Sequence, residues 1–494
     1  MKPLMNNIRN QTQRADVLFV WTDCDREGEA IGGDLADYCR TIKPGISVWR
    51  ARFSAMQPAD IHRAAQQHDI LDMKQISAVR ARSELDLRIG AAFTRFQTLQ
   101  LRSYFQNSND KKVLSYGSCQ FPTLGFVVDR YLQHENFVQE EFWKIHMVYT
   151  EERENGEAPL STTFKWRKEH VFERWACFLF YEMCYEAKIA RVTKVNAKET
   201  QKWKPLPLTT VELQKTACRA LHMSGAEIMT VAEGLYTQGF ISYPRTETDQ
   251  FEPGFNFTAL IEKQIDDPEW GQYARILKDG EFQRPRNGKN NDKAHPPIHP
   301  TAYTNSLTGN AKKVYEFITR RFLACCWKNA IGHETSIEVQ MGPEFFDAKG
   351  LVILERNYLE VYPYDKWKGN VIPEFQEGDE FVPATLEMVS GHTTPPNLLT
   401  ESDLIGMMEK NEIGTDATIA EHIQKILDRE YVFKQGPYFK PLTLGIALIL
   451  GYDQIGFEFS LSKPFMRRKV RKTNLTIFIC AACFDLHHLF LMLH

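Results

Sequence analysis

Strong net charge is missing from this chain: 60 Lys and Arg stand against 63 Asp and Glu, a formal balance of −3 over 494 residues. Indiscriminate coating of nucleic acid is thereby excluded, so any contact with phosphates has to come from a local groove. Long apolar runs are missing too. No stretch near the N-terminus reads as a signal peptide or a membrane span, and the nearest candidate, Thr476–His494, is interrupted by Asp485, His487 and His488. Neither an internal repeat nor a G-x-x-x-x-G-K-[ST] phosphate loop occurs. Cysteine is present without pattern: ten are scattered through a core-rich chain, which fits reduced thiols inside a cell. What remains, 43% hydrophobic and 25% charged, is an ordinary globular composition, long enough for roughly three or four domains.

The most informative segment is Trp21–Ala30, W-T-D-C-D-R-E-G-E-A. Before it, Val17–Val20 reads as a buried strand; after it, Ile31, Leu35 and Tyr38 read as the apolar stripe of a helix. Asp23, Asp25 and Glu27 therefore fall where a parallel strand turns into a helix, the usual ligand edge of an open α/β sheet. Spacing of two along an extended segment lets the three carboxylates converge. Held that close they repel unless a cation neutralises them, and hard oxygen ligands suit Mg²⁺ together with a phosphate. A solvated acidic turn is the alternative reading.

A second constellation is Phe240–Thr248, F-I-S-Y-P-R-T-E-T. Pro244 forces Tyr243 into an extended conformation, which places Tyr243, Arg245 and Glu247 on one side. A phenol beside a guanidinium can attack a phosphodiester, the tyrosine as nucleophile and the arginine holding the phosphate. Ionising a free phenol at neutral pH costs about 4 kcal/mol, so nearby cations must offset that. Taken alone, Tyr-Pro-Arg is more often a strand tyrosine packing its ring and hydrogen-bonding its hydroxyl.

Between these segments the pattern from about Asp60 to Tyr131 is helical, punctuated by Arg80, Arg82, Arg88, Arg95 and Arg102. They read either as a phosphate groove or as ordinary solvated faces. Thr209 with Glu212, and Ser224 with Glu227, each start a helix with a capping-box pattern, and Gly239 ends the second. Strand-like runs with one helical piece fill Phe142–Lys204, and strands return across Glu334–Glu387. Asn287–Lys293 reads as a flexible polar loop leading into His295-Pro-Pro-Ile-His-Pro300.

Together, W-T-D-C-D-R-E-G-E and I-S-Y-P-R-T-E-T resemble the type IA DNA topoisomerases, and within them the eukaryotic topoisomerase III alpha group. The resemblance continues through residues 84–99, 115–128, 294–301, 357–365 and 413–418. It implies an α/β plus α+β multidomain torus. Its parts would be a partial Toprim domain (1–60), a helical DNA-binding domain in two pieces (61–135 and 396–460) and a β-rich arch in two pieces (136–208 and 334–395). A tyrosine-bearing domain (209–333) and a divergent tail (461–494) complete the expected organisation.

By the same resemblance Tyr243 is the nucleophile that forms a 5′-phosphotyrosine, Arg245 stabilises the scissile phosphate and Glu27 assists catalysis. Asp23, Asp25 and Glu27 would hold Mg²⁺, while His295, Arg88 and Gln120 would contact DNA. ATP is not required, because the ester conserves the bond energy. The implied partners are single-stranded DNA and DNA junctions, a RecQ-family helicase and an OB-fold protein, in the nucleus. A catalytically impaired DNA-binding or regulatory form is the competing expectation; a primase or nuclease with a Toprim domain would need no tyrosine nucleophile.

Both ends depart from the family pattern. Relatives carry an N-terminal V-A-E-K strand whose glutamate and lysine complete the site, and Met1–Arg14 holds no equivalent, so weak relaxation of supercoiled DNA is expected of these residues alone. In the tail, Cys480, Cys483, His487 and His488 are spaced too closely for an ordinary zinc site. Ala55-Met56 replaces the family's Glu-Ile.

Overall fold

The computed structural model describes residues 2–54, 58–101, 113–153, 158–415 and 418–454. Arg102, Ala55-Met56 and the tail with its cysteine–histidine cluster lie outside the described residues. Helix α1 (Lys2–Arg14) leads into β1 (Val17–Val20), then α2 (Arg26–Ile42) and β2 (Ser47–Arg50), with β1 and β2 paired in parallel. The strand expected at Val17–Val20 is there; the apolar stripe expected on α2 is not the buried one. Ile31 is 59% exposed, and α2 instead buries Gly32, Gly33, Ala36 and Cys39. Close approach is the reason: a Cβ on Gly33 would come within 2.8 Å of the Ile76 side chain, so only small residues fit that face.

Helices α3 (Pro58–Gln66) and α4 (Met73–Leu101) follow, and α4 packs along α2. Helix α5 (Gln120–Glu135) is buried along its first nine residues, Gln120–Val128, inside the main apolar core. Two long strands come next, β3 (Glu141–Glu151) and β4 (Leu160–Trp166), then α6 (Arg174–Ala187) and β5 (Ala190–Lys202).

The helix pair expected between Thr209 and Gln238 is α7 (Thr210–Leu221) and α8 (Gly225–Thr237). Each starts at the expected N-cap with one half of the expected capping box: the Thr209 hydroxyl accepts the Glu212 N–H and the Ser224 hydroxyl accepts the Glu227 N–H, while the glutamates turn instead to Lys215 and Asn310. Gly239 stops α8 at φ +80°. Short helices α9 (Phe257–Glu262) and α10 (Gly271–Ile276) precede the buried α11 (Gly309–Cys325).

Next come β6 (Ala330–Met341), β7 (Glu344–Glu355), the single turn α12 (Tyr358–Val361), β8 (Glu380–Phe381) and β9 (Thr385–His392). Seven strands from two distant parts of the chain join in one antiparallel sheet, ordered β8-β5-β6-β7-β4-β3-β9. Alternation drives it: Thr162, Phe164 and Trp166 of β4 point inward while their neighbours face solvent. The inner face packs on Cys177 and Cys184 of α6, giving a second core separate from the helical one.

The chain closes with α13 (Glu401–Lys410), α14 (Ile419–Asp428), the hairpin β10 (Val432–Gln435) and β11 (Tyr438–Pro441), and α15 (Thr443–Gln454). Helix α13 carries a full reciprocal capping box between Thr400 and Asp403. The eight cysteines among the described residues are all unpaired and buried. No described helix is long and apolar enough to cross a membrane.

Candidate active site

The carboxylate segment and the tyrosine segment, 218 residues apart, meet face to face. The Tyr243 hydroxyl donates to Asp25 Oδ2 at 2.7 Å, and the Tyr236 hydroxyl donates to Asp23 Oδ1 at 3.2 Å. A backbone bond from Tyr243 N–H to the Ser54 carbonyl at 3.3 Å joins the two segments again. The rings of Tyr236 and Tyr243 meet edge to face with centroids 5.2 Å apart.

Asp23, Asp25 and Glu27 do not converge as an extended segment would require. Strand β1 ends at Val20 and α2 begins at Arg26, so Asp25 is the helix N-cap, accepting the Gly28 N–H at 2.7 Å, and Glu27 lies in the first turn. From there Glu27 turns to an ion pair with Arg82 on α4. Among the described residues no three His, Cys, Asp or Glu side chains come together in a way that could hold a metal ion. Asp25, bonded to Tyr243, and Asp23, bonded to Tyr236, remain the hard oxygen donors whose charges act on Tyr243.

What positions that pair is Arg50, a fully buried arginine at the end of β2. Its Nε donates to Glu29 at 2.8 Å, and its Nη atoms donate to the carbonyls of Thr22 (2.6 Å), Ala51 (2.7 Å) and Asp23 (2.6 Å). Glu29, also fully buried, takes the Asp72 N–H on its other oxygen at 2.9 Å. Arg50 thus ties the backbone under Thr22 and Asp23 to α2 and to the entry of α4.

Arg245 is clasped by Glu233, one turn before Tyr236 on α8. Glu247, expected on the same side, is exposed. His295 lies tilted against the nucleophile candidate, its ring centroid 4.4 Å from that of Tyr243. It is 5% exposed, and neither ring nitrogen has a hydrogen-bond partner. The loop before it is pinned rather than flexible. Asp249 accepts the Asn290 N–H at 2.8 Å, and Asp292 accepts the N–H groups of Ala294 and His295 at 2.8 and 2.9 Å.

Arg88 and Gln120 lie elsewhere. The Arg88 side chain is 68% exposed and pairs with Glu84 on the same helix. Gln120 is 2% exposed and accepts from Arg429, a placement that offers no open face for DNA. In the arginine row, Arg80 holds Asp34 and Asp37 while Arg82 holds Glu27, so ion pairing with carboxylates occupies these guanidinium groups. Arg50, Glu29, Tyr236, Glu233 and Ser54 carry no local sequence signal. Only the arginine closing the apolar strand S-V-W-R hints at a buried charge.

Burial and charge set the protonation states. Burial raises the Tyr243 phenol above its ordinary value, and the neighbouring Asp25 carboxylate raises it further. Tyr243 is therefore a neutral donor in this arrangement. Burial also raises the Asp23 carboxyl, outweighing the Tyr236 hydrogen bond that lowers it. His295 and His299 are both pushed down to about 4 by burial.

A neutral buried histidine stabilises the fold above its unfolded pKa near 6.5 and loses that contribution as pH falls toward 4, where the unfolded chain binds protons that the folded one refuses. The loss amounts to roughly 2 kcal/mol per histidine at pH 5. Urea denaturation of wild type and His299→Gln is expected to show a stability difference that shrinks between pH 7 and pH 5. A constant difference contradicts this.

Comparison with known proteins agrees with the geometry. A family described as DNA topoisomerase matches residues 71–473, and the Toprim domain matches residues 1–56. DNA topoisomerase 3-alpha of Homo sapiens is 47% identical over 468 residues, 94% of this chain and 46% of that protein. DNA topoisomerase 3 of Schizosaccharomyces pombe is 46% identical over 477 residues, 94% of this chain and 76% of that protein. The chain thus spans about half the length of the human relative. Full-length topoisomerase I from Thermotoga maritima shares the fold, with a TM-score of 0.73 at 23% identity over 95% of this chain and 75% of that one. Matched along most of its length to topoisomerase 3 sequences and to a type IA fold, the chain belongs to the type IA DNA topoisomerase family.

Proposed function

We propose that this chain carries the catalytic centre of a type IA topoisomerase, which cleaves and rejoins one DNA strand through Tyr243. The observation that carries the reading is the 2.7 Å hydrogen bond from the Tyr243 hydroxyl to Asp25, beside a buried histidine whose ring nitrogens lack partners. In the reaction the Tyr243 oxygen bonds to phosphorus and the bond from phosphorus to the 3′-oxygen breaks. The phenolic proton passes to Asp25, and water supplies the proton that the departing 3′-oxygen takes up. One diester replaces another, so the reverse step needs no ATP.

Arg245, released from Glu233, steadies the phosphate, and His295 donates to it or accepts from its hydration shell. Two carboxylates beside a phosphate are a common Mg²⁺ set, and Asp23 with Asp25 fit it. Such an ion, held there, would supply positive charge that favours ionisation of a phenol next to two acids. Relaxation of negative supercoils, action on recombination intermediates, nuclear location and association with a RecQ-family helicase and an OB-fold protein belong to the same proposal, supported by the likeness to topoisomerase 3 sequences.

A form that binds DNA without cutting it is the second reading, favoured by the lack of a third converging carboxylate among the described residues. The test is a labelled single-stranded oligonucleotide with Mg²⁺ and no ATP. The proposal expects a denaturant-resistant protein–DNA adduct that reverses when a strand with a free 3′-hydroxyl is added. Binding without any cleavage supports the second reading and defeats the first.

A further inference from the structure

A cavity of about 1120 Å³ lies beside the link Lys204-Pro-Leu-Pro207 that carries the chain from the sheet into α7. Three arginines line it that have no carboxylate partner among the described residues: the exposed Arg219, and Arg286 and Arg321. Arg321 is 6% exposed and donates to neutral groups: the Leu206 carbonyl, from Nε at 3.1 Å and Nη2 at 2.9 Å, the Tyr362 hydroxyl at 3.3 Å, and the Cys325 thiol. Arg286 donates to the Lys204 carbonyl and lies over the Trp203 ring at 5.3 Å, while its buried Nε has no partner. Behind them Lys204, 4% exposed, also meets only carbonyls, those of Gln283 and Arg284 at 3.1 and 3.0 Å.

Acidic side chains line the cavity as well, but each is engaged. Asp365 takes Lys202 and the Tyr358 hydroxyl, Glu212 and Glu409 share Lys215, and Asp249 binds the Asn290 N–H. Desolvated cations without an anion are costly, by several kcal/mol per ion. An anion entering this space would be drawn to the arginines.

The shape argues for an extended anion. A second cavity of about 670 Å³ shares Arg219 and His222 with the first and continues to Lys434. Two aromatic rings accompany the cations: Tyr364 lines the larger cavity, and Trp203, 61% exposed, lies outside its lining with Arg286 over its ring. Guanidinium groups with aromatic rings beside them are the pattern that holds single-stranded nucleic acid, charges on the backbone and rings under the bases.

We propose that these two cavities form a binding track for single-stranded nucleic acid, lined by none of the residues gathered around Tyr243. The inference rests on the reading of the chain as a DNA enzyme. Its wall is coupled to the active segment: Thr209 lines the larger cavity, and the next residue, Thr210, donates to the Pro244 carbonyl and accepts the Thr246 N–H, both at 2.7 Å.

The experiment is fluorescence anisotropy with oligothymidylates on the full chain, once with a strand long enough to reach the track and once with one that spans only the Tyr243 site. Arg219→Glu/Lys366→Glu changes exposed side chains, and Arg286→Gln provides an independent variant. Both are expected to weaken the long strand, the double variant by about tenfold with a salt slope shallower by about 1, leaving the short strand unchanged. Unaltered affinity and slope for the long strand in both variants overturns the proposal. So does tight binding of a thymidine nucleotide at the track with no effect on the long strand. Cleavage at Tyr243 is scored separately on the short strand, so failure of the track leaves the cleavage reading standing, and the reverse.

Discussion

Arg50→Met is expected to destabilise the protein by about 3–5 kcal/mol and to reduce cleavage at Tyr243 by more than tenfold. The stability figure follows from removing the nearer, fully buried partner of Glu29, which leaves that carboxylate only the half-exposed Arg52 at 3.4 Å. Arg50 and Glu29 are both fully buried and 2.8 Å apart. The loss of cleavage follows from the three carbonyls Arg50 holds, because those of Thr22 and Asp23 set where the Asp23 and Asp25 side chains point. A double variant separates the two effects. Arg50→Met/Glu29→Leu removes both charges and is expected to recover much of the stability, measured by urea denaturation, while cleavage stays low. Recovery of both together would mean that Arg50 matters only as a charge.

Gly28→Ala is expected to lower cleavage at least tenfold while costing about 1–3 kcal/mol of stability. Alanine normally favours a helix over glycine by about 1 kcal/mol. Here the added carbon would sit 1.9 Å from the Asp23 carbonyl oxygen and 2.8 Å from its carbon, and these are backbone atoms that cannot rotate away. Helix α2 thus packs its first turn directly on the carboxylate loop, an arrangement that the bond from the Thr22 hydroxyl to the Gly28 carbonyl at 2.7 Å reinforces. Either the helix or Asp23 must shift, and the Tyr236–Asp23 contact goes with it. Gly45→Ala is the control, since a Cβ there meets nothing within 4 Å. Equal behaviour of the two variants in cleavage and denaturation would contradict the steric argument.

The helix pair and its caps were legible because they depend on neighbours in sequence: a threonine or serine three residues before a glutamate, and a glycine after the last turn. The alternating strands of the large sheet were legible for the same reason. Aspartate at the third helical position hid the capping box of Thr400 and Asp403, although it closes the same pair of bonds. The buried face of α2 was not legible, because large apolar residues drew attention to one side while close packing selected the small ones. Convergence of three carboxylates failed at one point: the N-cap at Asp25 ends the extended backbone, and the spacing of two ends with it.

Long-range partners were the least legible. Arg50 acts through carbonyls that a side-chain pattern cannot display. The meeting of Tyr243 with Asp25 and of Tyr236 with Asp23 rests on docking of two segments whose motifs suggested chemistry but not geometry. The polar loop before His295 looked loose in composition, yet Asp249 and Asp292 bind its backbone.

The most direct measurement is tandem mass spectrometry of the adduct formed with Mg²⁺ and a single-stranded oligonucleotide, after digestion of both protein and DNA. Cleavage through Tyr243 yields one modified peptide, carrying a nucleotide through its 5′-phosphate on the Tyr243 oxygen, as the expected result. An adduct on Tyr236 or any other residue, or one linked through a 3′-phosphate, would contradict it.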